Sequence, residues 1–301
     1  MKKTLALSLL ALCIYPALLA QVTFKTEYFG QSHYKVAEGE TSQRIGDSKG
    51  SAMVFQGGVN IPISKKTDIN NRPTVWSVSV GGAYARLKNK NFTEPLVIDE
   101  LLNMGVSLNH LRPLNDKWSL MANVGGGVFM PGTDLSRISL KNVLGSAGVI
   151  FIRHLRPNLD LGGGLALNNS FGVPMVFPAV YLNWRTEGKY DVKIAVIKGL
   201  EVAAGYEFSE RLRLDLVAEM NGQTALLEQN GQDKMFSHVY LVTGLRPEFK
   251  IGKKISIPIT VGLSAWRPAS INDRKLKSIF RDKEYSFQAS GYASVGIKMA
   301  F

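Results

Sequence analysis

The chain has 301 residues, 45% of them hydrophobic, a net charge of +12 and a single cysteine. One cysteine excludes a disulfide framework, and no run of 18 apolar residues is present to form a transmembrane helix. The basic residues sit at turns and in one late loop rather than in clusters interleaved with aromatics, so no nucleic acid is expected as a partner.

Lys2 and Lys3, the apolar run Leu5 to Tyr15, and Pro16 to Ala20 form the three parts of a secretory signal peptide. Cleavage after Ala20 gives a leader at 1–20 and a mature domain at 21–301. A lipoprotein site at Cys13 would want Gly, Ala or Ser where Leu12 stands. Cleavage also removes the cysteine, so the mature chain would rely on backbone pairing and packing alone.

Beyond the leader the chain alternates apolar and polar residues with period two, the signature of strands with one face in each medium. Val22, Phe24 and Tyr28 begin the pattern. Trp76, Val78, Val80 and Tyr84 share a face, as do Leu102, Met104, Val106 and Leu108, and then Trp118, Leu120, Ala122 and Val124. Leu159, Leu161, Leu165 and Leu167 oppose Asp160, Gly162, Gly164 and Asn168. Leu212, Leu214, Leu216, Ala218 and Met220 oppose Arg213, Asp215 and Glu219, and Ile255 to Leu263 oppose Ser256, Thr260 and Ser264. From Phe287 to Phe301 the odd positions form one more apolar stripe, which ends on the aromatic terminus. Charged residues on an inner face would be costly in a dry core and are natural in a wet lumen.

Short turns at Asn115-Asp116-Lys117, Arg156-Pro157-Asn158, Ser209-Glu210-Arg211 and Gly252-Lys253-Lys254 alternate with longer connections. The latter are expected at Asn89 to Val97, Pro131 to Asn142, Asn221 to Met235 and Arg267 to Glu284. Short turns on one side and long loops on the other are the asymmetry of transmembrane barrels. The expected fold is therefore all-β: a transmembrane antiparallel up-and-down β-barrel of about 14 strands, within roughly 10 to 16. The rival is a soluble β-sandwich, whose outer aliphatic stripes would have to meet one another.

The leader, the alternating strands, the short turns and terminal Phe301 resemble bacterial outer-membrane β-barrel proteins. The start at Gln21 and the turn Phe208-Ser209-Glu210-Arg211-Leu212 look like barrel families of Bacteroidota without an assigned function. The resemblance implies residence in the outer membrane, contact with its lipids and lipopolysaccharide, and insertion by the barrel-assembly machinery, which reads the last strand and Phe301. It implies no substrate.

The register places Lys193, Glu201, Glu207, Arg213, Asp215, Glu219, Arg246, Glu248 and Lys298 toward the lumen. Both signs are mixed, which argues against a charge-selective filter. Two readings stand: cross-strand ion pairs that fill a narrow barrel, or a polar path. The loop from Arg267 to Glu284 carries Arg274, Lys275, Lys277 and Arg281 and reads either as a solvated loop or as a surface lid that folds into the mouth or touches lipopolysaccharide phosphates. Leu276, Ile279 and Phe280 are spaced for a short amphipathic helix there.

His33, His110, His154 and His238 lack the His-x-Ser spacing of outer-membrane phospholipases, although a serine on another strand could still meet one of them. No metal-ligand spacing and no cofactor motif is present, and the glycine runs at 125–127 and 162–164 lie inside strands. No catalytic residue is assigned. The leading expectation is a passive channel or transporter for a small solute. The alternatives are a closed structural or interaction barrel with working loops, and a membrane-embedded lipid hydrolase with Ser and His on the lipid-facing wall.

Overall fold

The computed structural model describes residues 20–301 except 70–71, 93–95, 187, 197–198 and 280–282. The leader before Ala20 and Arg281 thus lie outside the described residues.

Among the described residues fifteen strands follow in chain order: β1 (Gln21–Glu38), β2 (Thr41–Thr67), β3 (Pro73–Lys90), β4 (Glu100–Pro113), β5 (Trp118–Met130), β6 (Val143–Arg156), β7 (Leu159–Asn168) and β8 (Met175–Arg185). Then come β9 (Tyr190–Val196), β10 (Leu200–Ser209), β11 (Leu212–Gln229), β12 (Gln232–Ile251), β13 (Ile255–Asp273), β14 (Lys283–Phe287) and β15 (Ser290–Ala300). Each pairs antiparallel with its sequence neighbour, and the last two share one place in the ring. β14 and β15 both lie between β13 and β1, which closes the sheet. The barrel therefore has 14 positions.

The break at Gln288-Ala289 corrects the single uninterrupted stripe read from Phe287 to Phe301. It lies opposite an irregularity in β1 between Phe29 and Ser32, and the Gln288 amide donates to the His33 carbonyl. Crossing it shifts the parity. Val295 faces outward as expected, but Phe287 is buried against Tyr34 inside the barrel.

Outward positions are apolar and exposed, among them Phe24, Val80, Val106, Val124, Leu165, Val180, Leu216, Val261 and Val295. In water each would forgo about 1.5–3 kcal/mol of burial. Around a closed ring they form a belt that only a lipid medium satisfies, so the stripes do not meet as a sandwich would require.

Strand lengths are uneven. β2 has 27 residues and β12 has 20, whereas β7 has 10 and β9 has 7. A tilted strand needs about 9–11 residues to cross a bilayer, so β1–β3 and β11–β13 rise well past it at the long-loop end. Much of the segment read as a loop from Asn221 to Met235 is strand. It turns on Asn230-Gly231, both with positive φ (53° and 73°), as a two-residue hairpin demands. The loop read from Arg267 likewise begins with β13 running to Asp273, and its helical part is a single 3-10 turn at Leu276–Ile279.

Candidate functional site: an ion-pair ladder, an aromatic plug and a lane of cavities

On the β9–β13 side, inward positions carry a ladder of charges. Arg213 bridges Asp191 and Asp215 at 2.8 and 2.7 Å, with Glu207 at 4.0 Å. Lys250 pairs with Glu207 and Lys193 with Glu201, each at 2.5 Å. Arg246 joins Glu219 and, at 3.6 Å, Glu201. From β1, Lys25 reaches Glu219 at 3.2 Å, although no strand pairing joins β1 to β11. Contact between strands that are not neighbours is made only through the lumen. Glu248 and Lys298 line the mouth at the short-turn end, near Lys250 and Lys253.

The parity of the sequence pattern is enough to locate most of these groups. Lys25, Glu27, Asp191 and Lys250 belong to the same ladder but were absent from the expectation. They share parity with residues that were named, and β1 had been read only for its outward stripe.

Glu27 joins the ladder to a second layer. Its carboxylate lies 2.9 Å from Lys25 and accepts from Gln56 Nε2, Tyr240 Oη and Tyr292 Oη at 2.7, 2.8 and 2.6 Å. Phe29 packs on the Tyr240 and Tyr292 rings, with centroids at 4.7 and 5.2 Å. Above it, Tyr34, Phe287, Leu101, Ala225 and Phe236 complete a dry cluster that fills the lumen between β1–β4 and β11–β14. Arg267 is buried within it, 4.2 Å from the Phe287 ring, and donates to Ser32 Oγ and the Gly50 carbonyl. This plug was not legible from alternation, because an inward aromatic reads like an outward one.

The β3–β7 wall is different. Around its middle the inward positions Ser79, Gly81, Ser107, Gly125, Gly127, Ser146 and Asn168, flanked by Phe129 and Leu144, line a cavity of about 390 Å³ ending at Ser170. Small residues are required here: a Cβ at Gly127 would strike the Met104 carbonyl of the next strand. Through Ser79 and Gly81 this space adjoins a second cavity of about 610 Å³ beside Lys25, Glu219 and Arg246. Through Gln21, Thr23 and Lys298 the second adjoins the mouth, about 1220 Å³. A continuous lane thus climbs the lumen past the plug, with charges of both signs lining its lower two cavities and none lining the upper one.

At the long-loop end the lane is covered. Beyond Met220, β11 has lost β10 as a neighbour, and its free edge leans across the barrel. The Asn103 amide on β4, seven positions away in the ring, accepts from Thr224 N at 3.3 Å and donates to Thr224 O at 2.5 Å. Asn142 Nδ2 donates to Leu226 O at 2.8 Å. Side-chain amides here serve as the missing strand for backbone groups that would otherwise be orphaned. Lys141 pairs with Glu228 near the hairpin tip, and that hydrogen bond holds its ammonium above the ordinary pKa.

Of the loop candidates, Arg274 is turned inward. It donates from Nε to Ser170 O (3.1 Å), from Nη1 to Lys141 O (3.3 Å) and from Nη2 to Asn169 O (2.9 Å). It thereby ties the β13–β14 connection to the loops before β6 and after β7, directly over the end of the lane. Lys275 and Lys277 are exposed. Phe301 is half exposed, with its amide on the Ala20 carbonyl at 3.0 Å.

Four further residues meet in one row at the short-turn end: Ser119 on β5, His154 on β6, Asp160 on β7 and Asn183 on β8. They lie on the inner face and not on the lipid-facing wall, and their separation along the chain kept them from forming a sequence motif.

Comparison with curated protein sequences finds no match. Among solved structures the chain is similar to an outer-membrane channel from Pseudomonas putida F1, at 7% identity over 95% of this chain and 97% of that one, with a TM-score of 0.45. It is also similar to the translocator domain of the autotransporter NalP from Neisseria meningitidis (11% identity, 100% and 94% covered, TM-score 0.35). A third is the TodX monoaromatic hydrocarbon channel (8% identity, 95% and 91% covered, TM-score 0.38). The family model described as Domain of unknown function (DUF6268) matches residues 16–300, so the chain belongs to that family.

Proposed function

We propose that the protein is a passive outer-membrane channel for a small polar solute, held closed at its long-loop end by Arg274 and the β11–β12 hairpin. The observation that carries this reading is the chain of three adjoining cavities from Lys298 at the mouth to Ser170 beneath Arg274. A barrel meant only to be solid would fill that space with side chains, as the aromatic plug fills the space beside it. The short-turn end, which holds Gln21 and Ala300, faces the periplasm, as in other barrels of this asymmetry. Cations and carboxylates alternate along the ladder in near-equal number, so the lane suits a neutral or zwitterionic solute more than an ion of either sign.

The outer surface fits the same setting. We assign Lys275 and Lys277 to lipopolysaccharide phosphates, and Phe301 to recognition by the assembly machinery. Arg274 is withdrawn from the surface set because its three donor nitrogens are spent on carbonyls.

Proteoliposome swelling tests the reading. Arg274→Ala barrels should admit small neutral sugars several-fold faster than wild type, and both should discriminate weakly by charge. Equal, negligible rates from two folded barrels would favour the second reading, a closed barrel whose loops are the working surface, which the aromatic plug supports.

A further inference from the structure

We propose that Ser119, His154 and Asp160 form a nucleophile, base and orienting group that act on carboxylic esters entering from the short-turn end of the lumen. The proposal stands apart from the channel reading and does not rest on it.

Ser119 Oγ lies 2.7 Å from His154 Nε2, and His154 Nδ1 lies 2.7 Å from Asp160 Oδ1. Asn183 Nδ2 donates to the other oxygen of Asp160 at 3.4 Å. A carboxylate only accepts, so Nδ1 carries the proton and Nε2 is left to accept from the serine. That is the tautomer a general base requires. Backbone pairing fixes the geometry: His154 is paired with Asp160, and Asp160 with Asn183, while Ser119 is paired with Ile152, two residues from His154 on the same face. The His154 amide is also tied to the Lys117 carbonyl at 2.8 Å.

The row is open to the lumen at His154, whose side chain is 38% exposed, while Ser119 beside it is 8% exposed. The wall above the row is apolar: Met121, Ile150 and Ile152 face inward on β5 and β6 beside Gly162 and Gly164 of β7.

In the reaction, Ser119 Oγ bonds to the ester carbonyl carbon as its proton passes to His154 Nε2. The carbon–alkoxy bond then breaks, and the alcohol leaves with that proton. Water attacks the acyl-serine, giving one proton to His154. The bond to Oγ breaks, the serine is reprotonated, and the acid departs. The sum is ester plus water to acid plus alcohol, with no other reactant.

The test uses the full-length barrel in detergent, with heat-modifiable migration as the check of folding, a fluorophosphonate as covalent probe and 4-nitrophenyl acetate and butyrate as esters. The expected result is an adduct mapped to Ser119, absent in Ser119→Ala. His154→Gln should slow its formation at least ~100-fold, and Asp160→Asn should shift the pH profile of labelling. If any variant fails to fold, the wild-type adduct decides alone. A folded wild-type barrel with no adduct, an adduct mapped to another residue, or labelling unchanged in His154→Gln would overturn the proposal.

Discussion

Glu27 shows how one residue holds two layers of this molecule together. It is fully buried, yet it faces Lys25 and three neutral donors, so its charge is met on every side. Buried carboxylates cost several kcal/mol to desolvate, and removing one leaves its partners stranded. Glu27→Ala should therefore destabilise the barrel by about 3–5 kcal/mol, lowering the temperature at which it loses its fast-migrating folded form. A midpoint unchanged from wild type would show that the tyrosine hydroxyls find other partners. Parity alone places such a residue inward, since Phe24 and Tyr28 beside it face out. What parity does not convey is partnership. The Tyr240 and Tyr292 hydroxyls come from strands that reach Glu27 only when the ring closes, and Ser119, His154 and Asp160 are likewise united only by register.

Among the elements, the β11–β12 hairpin departs furthest from regular barrel form. Its upper half has one paired edge and one edge served by Asn103 and Asn142. Each amide contributes a modest net stabilisation, about 1 kcal/mol per hydrogen bond. The double variant Asn103→Ala/Asn142→Ala should keep the barrel folded while raising hydrogen exchange at Thr224 and the neighbouring free-edge amides by more than tenfold. Exchange that stays slow would mean the hairpin is held by its apolar underside alone, through Ala225 and Leu226. The Lys141–Glu228 contact is exposed and adds little once salt screens it. Asn230-Gly231 is the strongest short-range hairpin signal in this stretch. It was obscured because the residues around it, from Asn221 to Asp233, are too polar to read as a strand in lipid. They are polar because that part of the hairpin leans over the long-loop end of the lumen, beyond the exposed apolar belt. The break between β14 and β15 was hidden for a related reason: the apolar stripe continues through it while the parity changes.

The whole molecule is a barrel whose lumen is filled by the aromatic plug on one side and left open along the β3–β7 wall and below the plug. The outward belt, the closed ring and the asymmetry of turns follow from alternation and were legible in the sequence. The division was not, because Gly, Ser and Asn at inward positions show no periodic signal of their own. Narrowing the hollow side should act on passage without touching stability. Ser107→Trp, which points into the lane, should reduce sugar uptake by an Arg274→Ala barrel at least several-fold while the melting temperature stays put. Equal uptake would move the path elsewhere in the lumen.

Single-channel recording in a planar bilayer tests the gated lane most directly, comparing wild type with Arg274→Ala. The account predicts rare, brief openings from wild type and steady unitary current with weak ion selectivity from the variant. Silence from an Arg274→Ala barrel that migrates as folded would contradict it.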